Sequence, residues 1–354
     1  MGIKNFHSYL RKKIPNVYET IPIPELKNKT LSIDTSIFMC KFKNTYGNRW
    51  LNGFYQFVVY LKRHDIHFIF ILDSKPPPEK ANEREVRSLN REKNRERIDI
   101  LLEQWTHFLD RNPVLQEITI DMILPHYDEL GKFLQKKKLE PVFSPTTVSQ
   151  HLGKLQKNII RITGEDFELL KKMFQLMNIT YYYADSEAEG TCSLLNRKDI
   201  VDGVLTEDTD VIAYGTPVMY FNFSFRDQTV QRLELSKILS ALEISFEQLR
   251  DFCILCGTDY NSNLEKIGPT RSMDLIRKYN SFETMSEFVD TSSINFIRIR
   301  HLFNCDQYEV KIDKINKNTE IIVKSEQLQE FCFYNNISII KDTGDLYFSS
   351  TNFF

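Results

Sequence analysis

Residues 68–73 are Phe68-Ile69-Phe70-Ile71-Leu72-Asp73, a short apolar run that ends in an acid. A run of this length, rich in β-branched and aromatic residues, predicts a β-strand. Similar runs recur along the chain and alternate with helix-like patterns, which is typical of a parallel sheet with crossover helices. They lie at residues 30–33, 180–183, 203–205 and 218–223. The sequence therefore predicts an α/β fold with a mostly parallel central sheet flanked by helices.

The composition is that of a folded, water-soluble protein. Apolar residues make up 42% of the 354-residue chain and charged residues 27%, which excludes disordered and collagen-like classes. No apolar run approaches the ~18 residues that a membrane-spanning helix needs. No apolar segment follows the basic residues Arg11, Lys12 and Lys13 as it would in a secretory signal. We therefore expect an intracellular protein, in the cytoplasm or nucleus, without a membrane partner.

The charges and cysteines exclude two further classes. The net charge of −2 argues against a simple nucleic-acid coat protein. Six cysteines scattered over a chain without a secretory signal indicate reduced thiols. Cys253 and Cys256 form a CxxC pattern inside an apolar run, with no second Cys or His pair at zinc spacing. We interpret both as buried thiols of a helix.

Acidic residues follow four of the predicted strands. They are Asp34, Asp73, Glu187 with Glu189, and Asp208 with Asp210. Ligands of an open parallel sheet lie beyond the carboxyl ends of its strands, so these acids are expected to meet at one edge. Carboxylates without thiol or imidazole partners suit Mg²⁺ or Mn²⁺. Two such ions support in-line phosphoryl displacement, so the pattern predicts metal-assisted phosphodiester hydrolysis.

The alternative is that these acids cap helices. Ser186-x-x-Glu189 matches a capping box, and Asp208 or Thr209 could cap the helix after its strand. A cap needs one acid at each helix start, whereas Glu187/Glu189 and Asp208/Asp210 are pairs two residues apart. The pairs favour the metal-binding interpretation.

A basic helix follows Asp73. The positive residues Lys80, Arg84, Arg87, Arg91 and Arg95 are spaced by 4, 3, 4 and 4 positions, which places them on one helical face. This face is a candidate phosphate-binding ridge beside the acidic pocket. The alternative is a solvated helix held by ion pairs between neighbouring turns.

A Gly-Pro turn later in the chain suggests a second phosphate contact. Ile267-Gly268-Pro269-Thr270-Arg271 opens a predicted helix, whose first backbone N–H groups can bind phosphate without reading bases. Any helix start can have this appearance, so the motif carries little weight alone.

Taken in order, these motifs resemble those of the flap endonuclease family of XPG-like, structure-specific 5′ nucleases. The resemblance runs from Met1-Gly2-Ile3-Lys4 to about residue 279. The residues that carry it are Ile33-Asp34, Leu72-Asp73-Ser74-Lys75-Pro76-Pro77, Ser186-Glu187-Ala188-Glu189-Gly190, Thr206-Glu207-Asp208-Thr209-Asp210, Cys256-Gly257-Thr258-Asp259-Tyr260 and Ile267-Gly268-Pro269-Thr270-Arg271.

The resemblance implies a magnesium-dependent nuclease with a PIN-like core and a two-metal site. The acids that match the family's ligands of two Mg²⁺ or Mn²⁺ ions are Asp34, Asp73, Glu187, Glu189, Asp208, Asp210 and Asp259. Lys80 and Arg87 match the lysine and arginine that steer the scissile phosphate, and are the implied catalytic residues.

The resemblance also implies which residues contact DNA. They are Gly2 with its free amino end, Arg84, Arg91 and Arg95 of the basic helix, and Lys266, Gly268, Thr270 and Arg271 of a helix-two-turn-helix hairpin. That hairpin binds K⁺ in the family, where its sequence is usually Gly-Ile-Gly. Here Lys266 stands at the first glycine.

We divide the chain accordingly. Residues 1–110 are expected to form an N-terminal nuclease region with the basic helix, and 111–160 an extended arch insertion. Residues 112–158 of this insertion show no clear apolar face. Residues 161–282 would carry the internal nuclease region and hairpin, and 283–354 a segment packing back on the core. Phe353-Phe354 resembles the end of a sliding-clamp-binding box. We expect a monomer that works in the nucleus or at another site of DNA replication.

The predicted function is 5′ flap endonuclease and 5′-3′ exonuclease activity on flapped, nicked or gapped DNA, in replication, repair or recombination. Two alternatives stay open. One keeps the fold and chemistry but acts on RNA in messenger RNA decay. The other is a non-catalytic nucleic-acid scaffold, which would have no need for all seven acids.

Overall fold

The protein is built around a mixed, mostly parallel sheet. The computed structural model describes residues 2–137, 139–157, 161–310, 312–317 and 326–339. In these ranges the sheet has seven strands in the order β1-β7-β6-β5-β2-β3-β4. Strands β2 to β6 run parallel to one another, whereas β7 is antiparallel to both β6 and β1. The strands are β1 (Glu19–Pro22), β2 (Thr30–Asp34), β3 (His67–Leu72), β4 (Tyr181–Tyr183), β5 (Gly203–Leu205), β6 (Val218–Ser224) and β7 (Thr229–Glu234).

Helices cover both faces of the sheet. They are α1 (Phe6–Lys13), α2 (Thr35–Tyr46), α3 (Trp50–Arg63), α4 (Ala81–Arg111), α5 (Ile120–Ile123), α6 (Asp128–Lys136), α7 (Pro145–Lys157), α8 (Gly164–Leu176), α9 (Ala188–Arg197), α10 (Asp210–Ala213), α11 (Leu235–Leu242), α12 (Phe246–Cys256), α13 (Pro269–Tyr279), α14 (Phe282–Ser286), α15 (Phe296–Leu302) and α16 (Glu326–Tyr334). The short 3-10 helices are Pro15–Val17, Ile23–Leu26, Gly47–Arg49, Pro78–Lys80 and Cys305–Gln307. No helix within the described ranges is long and apolar enough to cross a membrane.

The α/β fold with a mostly parallel sheet is confirmed. The five strands predicted from apolar runs are β2 to β6, each within two residues of its expected bounds. The sequence did not reveal β1 and β7. Both are partly exposed strands of mixed polarity, so neither produces an apolar run. β1 is the edge strand and ends in Pro22, and β7 lies between it and β6.

The sheet separates two apolar cores. In β3, Ile69 and Ile71 pack into one core, whereas Phe68 and Phe70 pack into the other. This division follows from the two-residue period of a strand, which turns successive side chains to opposite faces. All four side chains are fully buried, and burial of each contributes about 1.5–3 kcal/mol. Cys253 and Cys256 are buried in α12 as free thiols, as predicted.

A third apolar core lies outside the sheet. It joins the C-terminal half of α4 to α5, α6 and α7, and contains Trp105, Phe108, Leu130 and Phe133. The prediction that residues 112–158 lack a clear apolar face is therefore wrong for the part of this segment that the structure describes. The signal was present in the sequence, because Leu130, Phe133 and Leu134 of α6 recur at helical spacing, but the prolines of the segment led to its interpretation as an insertion without an apolar face.

Candidate active site

The carboxyl ends of β2, β3 and β5 bring acids to one edge of the sheet. Asp34 is the last residue of β2, Asp73 follows β3, and Asp208 follows β5. β2 lies between β3 and β5 in the sheet. Asp34 experiences the charges of Asp73 and Asp208, and Glu189 at the start of α9 experiences all three. The structure thus brings these predicted ligands close enough together for their charges to interact.

Local hydrogen bonds fix the two acids of the neighbouring strands β2 and β3. Asp34 Oδ1 accepts from the Ile37 backbone N–H at 3.3 Å, and its Oδ2 accepts from Thr206 Oγ1 at 3.1 Å. Asp73 Oδ1 accepts from the Ala188 backbone N–H at 2.8 Å.

Asp34 is therefore both the N-cap of α2 and a member of the acidic group. The capping box predicted from Ser186 and Glu189 does not form, because the N-cap of α9 is Glu187 and its side chain makes no capping bond. The N-cap of α10, Thr209, makes no side-chain capping bond either.

Gly2 packs against Asp208 and Asp210, the pair of acids that follows β5. Gly2 adopts a left-handed φ of +83°, and a Cβ atom there would meet Asp208 Oδ1 at 2.1 Å. Asp208 Oδ1 in turn accepts from the Asp210 backbone N–H at 2.9 Å. Only glycine fits this close approach. Gly2, predicted near the active site, lies beside these carboxylates.

Two cations of the basic helix region reach into the acidic group. Lys80 pairs with Glu187 and lies 3.1 Å from Asp259 Oδ2. Arg87 donates from Nη2 to Asp259 Oδ1 at 2.6 Å. Asp259, which follows α12, is thus joined to the group through the same cations. The two predicted catalytic residues and all seven predicted acids lie in one connected cluster.

Burial raises the pKa values of four of these acids. They are Asp34, Glu189, Asp208 and Asp210, and like charges nearby raise each further. For Lys80, burial alone would lower the pKa, but Glu189, Glu187 and Asp259 outweigh it and raise the pKa. The raised pKa values reflect the crowding of buried carboxyl groups, which Lys80 and Arg87 partly compensate.

The donor set fits divalent cations. Among the described residues, Glu189 Oε2 and Asp210 Oδ1 are buried without a hydrogen-bond partner. Buried carboxylate oxygens without partners suit a hard cation such as Mg²⁺ or Mn²⁺. As the side chains stand, no group of three or more His, Cys, Asp or Glu in the described ranges is arranged to hold a metal ion. Lys80 lies between Glu187 and Asp259, where it interacts with two of the candidate ligands.

The remaining ridge residues lie outside this cluster. Arg84, Arg91 and Arg95 are exposed on α4. Arg87 also donates to Glu83 at 2.8 Å, one turn earlier, so the helix has the intrahelical pair of the alternative interpretation as well. Arg87 therefore fits both interpretations of the basic helix, because it contacts the acidic cluster and also forms an ion pair within the helix.

The predicted hairpin is exposed at the start of α13. Lys266, Gly268, Thr270 and Arg271 all lie on the surface. Lys266 adopts a left-handed φ of +60°, the backbone conformation that favours glycine. Gly268 is the N-cap residue of α13, and Pro269 follows at its first position. The predicted clamp residues Phe353 and Phe354 fall outside the described ranges.

Several contacts of the site were not predicted from the sequence. Tyr260 donates a hydrogen bond to Glu187, and Lys41 donates to Glu207 at 2.8 Å. Ser36 donates to Asp73. Tyr260 could have been noticed as the neighbour of Asp259, but nothing in the sequence connects it to Glu187, 73 positions away.

The fold and the acidic site define the class of protein, that of the XPG-like nucleases. Residues 178–259, which include five of the seven acids, match the XPG I-region. The chain belongs to the RAD2-like endonuclease family. RAD2-like endonuclease 369L of Invertebrate iridescent virus 6 is 32% identical over 333 residues, which cover 86% of this chain and 79% of the relative. Flap endonuclease 1 of Cryptosporidium muris is 24% identical, covering 96% and 72%.

Solved structures share the fold. Human GEN1 in complex with Holliday junction DNA superposes with a TM-score of 0.60 at 18% identity, covering 95% of this chain and 73% of that one. Flap endonuclease-1 from Methanococcus jannaschii gives a TM-score of 0.53 at 21% identity, covering 90% and 94%. These likenesses confirm the fold class predicted from the sequence.

Proposed function

We propose that the protein is a structure-specific endonuclease that hydrolyses phosphodiester bonds at branch points in DNA, with a 5′ flap on nicked duplex as its preferred substrate. The observation that carries this proposal is the contact of Lys80 and Arg87 with the acidic cluster. The arrangement combines ligands for cations with side chains for a phosphate anion. The flap endonucleases among its relatives support the choice of substrate.

Asp34, Asp73, Glu187, Glu189, Asp208, Asp210 and Asp259 would hold two Mg²⁺ or Mn²⁺ ions. When bound, such ions polarise the attacked phosphate, activate water and stabilise the leaving oxygen. The sheet fixes the strand-end acids before substrate arrives, so little reorganisation is needed during the reaction.

Lys80 and Arg87 bind and orient the scissile phosphate. Their present partners, Glu187 and Asp259, keep both cations inside the pocket when no phosphate is bound. A phosphate that enters would take over these charge-assisted hydrogen bonds, and bidentate geometry favours Arg87 for this role. The negative charge that develops on the phosphate would then be stabilised most strongly in the transition state.

Recognition of DNA would follow shape rather than sequence. The exposed hairpin residues Lys266, Gly268, Thr270 and Arg271 present backbone N–H groups and charge to a phosphate, without base contacts. K⁺ binding there, clamp binding through Phe353 and Phe354, and action as a monomer at sites of DNA replication and repair are further parts of this proposal. A junction also supplies frayed base pairs, so a nucleotide can be drawn from the duplex at least cost.

A cleavage panel tests the proposal. Flap, nicked, gapped, bubble and single-stranded substrates, in DNA and in RNA, are incubated with Mg²⁺, and an Asp208→Asn protein prepared in parallel controls for contaminating nucleases. We expect the DNA 5′ flap to be cut within about one nucleotide of the junction, faster than a single strand. Faster cleavage of single-stranded RNA would support RNA decay instead, and binding without cleavage would support a scaffold.

A further inference from the structure

A chain of tyrosines leads from the C-terminal part of the molecule to Glu187. Tyr260 donates its hydroxyl hydrogen to Glu187 Oε2. The Tyr260 and Tyr214 hydroxyls are 2.9 Å apart, and the Tyr214 and Tyr308 rings lie side by side at Gly190, where the two tyrosines interact electrostatically. The buried Phe303 ring packs edge-on against both Tyr214 and Tyr260, with centroids 5.0 and 5.1 Å away. The rings are thus held in one orientation.

Gly190 provides space for the far end of this chain. A Cβ atom at Gly190 would lie 2.5 Å from a ring carbon of Tyr308 and 3.1 Å from a ring carbon of Tyr214. Both distances are too short for a side chain to be accepted without movement. Gly190 lies in the first turn of α9, and Glu187 is the N-cap residue of the same helix. The helix that carries Glu187 is therefore packed directly on the tyrosines.

Tyr308 belongs to a segment that is itself tied to the edge of the sheet. The Glu309 backbone N–H donates to Asp185 Oδ2 at 3.0 Å. Further along, Asn316 exchanges backbone hydrogen bonds of 3.1 Å with Phe68 of β3, and its side chain binds the Thr180 backbone. These bonds connect the segment to the strands next to the acidic cluster.

We propose that Tyr260, Tyr214 and Tyr308 are positioning residues that hold Glu187 in the orientation in which it binds a divalent cation. Lys80 contacts Glu187 Oε1 and Tyr260 binds Oε2, so both carboxylate oxygens have a fixed partner. A tyrosine hydroxyl stays protonated at neutral pH and remains a donor. Loss of a hydrogen bond to a metal-ligating side chain typically lowers the affinity for the metal about 10- to 100-fold. The inference rests on the proposed function, because it assigns Glu187 to a cation.

The test is calorimetric titration of the metal-free protein with Mn²⁺, without nucleic acid. Tyr260→Phe removes only the hydroxyl, and we expect it to weaken Mn²⁺ binding about tenfold. Tyr214→Phe and Tyr308→Phe should weaken it by about two- to threefold, because they act through Tyr260. Gly190→Ala should weaken Mn²⁺ binding to about the same extent as Tyr308→Phe. In cleavage assays, Tyr260→Phe should need more Mn²⁺ for half-maximal rate yet reach a near-normal rate at saturation.

Tyr182→Phe is the matched control. Its hydroxyl also binds the C-terminal segment, through Asp313 and the Lys314 backbone, but it is not part of the tyrosine chain. We expect unchanged Mn²⁺ affinity for this variant. Equal affinity of wild type and Tyr260→Phe, or an equal loss in Tyr182→Phe, overturns the inference and leaves the proposed function intact. A wild-type protein that neither binds Mn²⁺ nor cleaves DNA overturns both. Tyr308→Phe provides the same test if Tyr260→Phe does not fold.

Discussion

Lys80 Nζ lies 3.1 Å from Asp259 Oδ2, so the residue just before α4 is joined to the residue that follows α12 across the acidic pocket. The side chains are 14% and 6% exposed, and the pair is therefore shielded from water. Two parts of the chain that are distant in sequence thus depend on each other for charge compensation.

Replacement of Lys80 by methionine should destabilise the metal-free protein and strengthen binding of divalent cations. The variant leaves Glu187 and Asp259 without their lysine partner, and loss of one member of a buried pair costs about 3 kcal/mol, less if an acid takes up a proton. Chemical denaturation in chelator and calorimetry with Mn²⁺ measure the two effects. Lys132→Met, which removes an exposed pair with Asp128, should change neither. Weaker cation binding by Lys80→Met would contradict competition between lysine and metal.

Asp208→Asn should reduce cleavage on the order of a thousandfold while DNA binding without metal stays equal or tightens. The change removes a proposed cation ligand and one negative charge that repels phosphate. Rates under single-turnover conditions and a binding titration in chelator separate the two effects. Asp202→Asn is the control, because Asp202 lies at the opposite end of β5 in a surface pair with Lys29. Activity within tenfold of wild type would rule out the metal assignment.

Arg87→Ala should slow the chemical step by about 100-fold or more and weaken DNA binding far less. The reason is that the guanidinium is proposed to stabilise charge that develops in the transition state. Arg84→Ala, on the exposed part of the same helix, should alter affinity alone. If Arg87→Ala also changed only affinity, the arginine would be a backbone contact, and the slope of log K against log salt should fall by about 0.9 for that contact.

Lys266→Gly should raise the free energy of unfolding by about 0.5 kcal/mol, because it relieves the left-handed backbone at φ +60°. It should also weaken DNA binding, since a cation is lost from the hairpin. Glu265→Gly is the matched control. Glu265 has no positive φ, so its replacement by glycine should destabilise the protein. A loss of stability in Lys266→Gly would show that the lysine side chain makes a compensating contact.

His7 should make the protein less stable as the pH falls from about 6.5 to about 4. Burial, with help from the nearby Arg11 charge, lowers the pKa of His7 to about 4. The unfolded chain then binds a proton that the folded protein does not, so stability is full above the ordinary pKa and is lost through this window. The effect is on the order of 1–3 kcal/mol. His7→Gln should lose less stability than wild type between pH 7 and 4, as denaturation at each pH would measure. If the free energies of unfolding of wild type and His7→Gln fell in parallel between pH 7 and 4, the prediction would be wrong.

The sequence was sufficient for the parallel strands and for the edge at which the acids meet. An apolar run such as 68–72 is a local property, and the acid that follows it must emerge at the carboxyl end of its strand. The basic helix was predicted by the same local logic, from the spacing of its charges. Amphipathic pattern and strand direction need no knowledge of distant contacts.

Tertiary structure alone decided how the charges are paired. Spacing placed Lys80, Arg84 and Arg87 on one helical face, yet only Lys80 and Arg87 contact the acids, while Arg84 is exposed. The contact of Tyr260 with Glu187 and the space that Gly190 leaves for Tyr308 likewise join residues far apart in sequence. Such contacts depend on how helices pack on the sheet, to within fractions of an ångström. A pattern of residue types fixes which face a side chain occupies, whereas packing fixes which partner it meets.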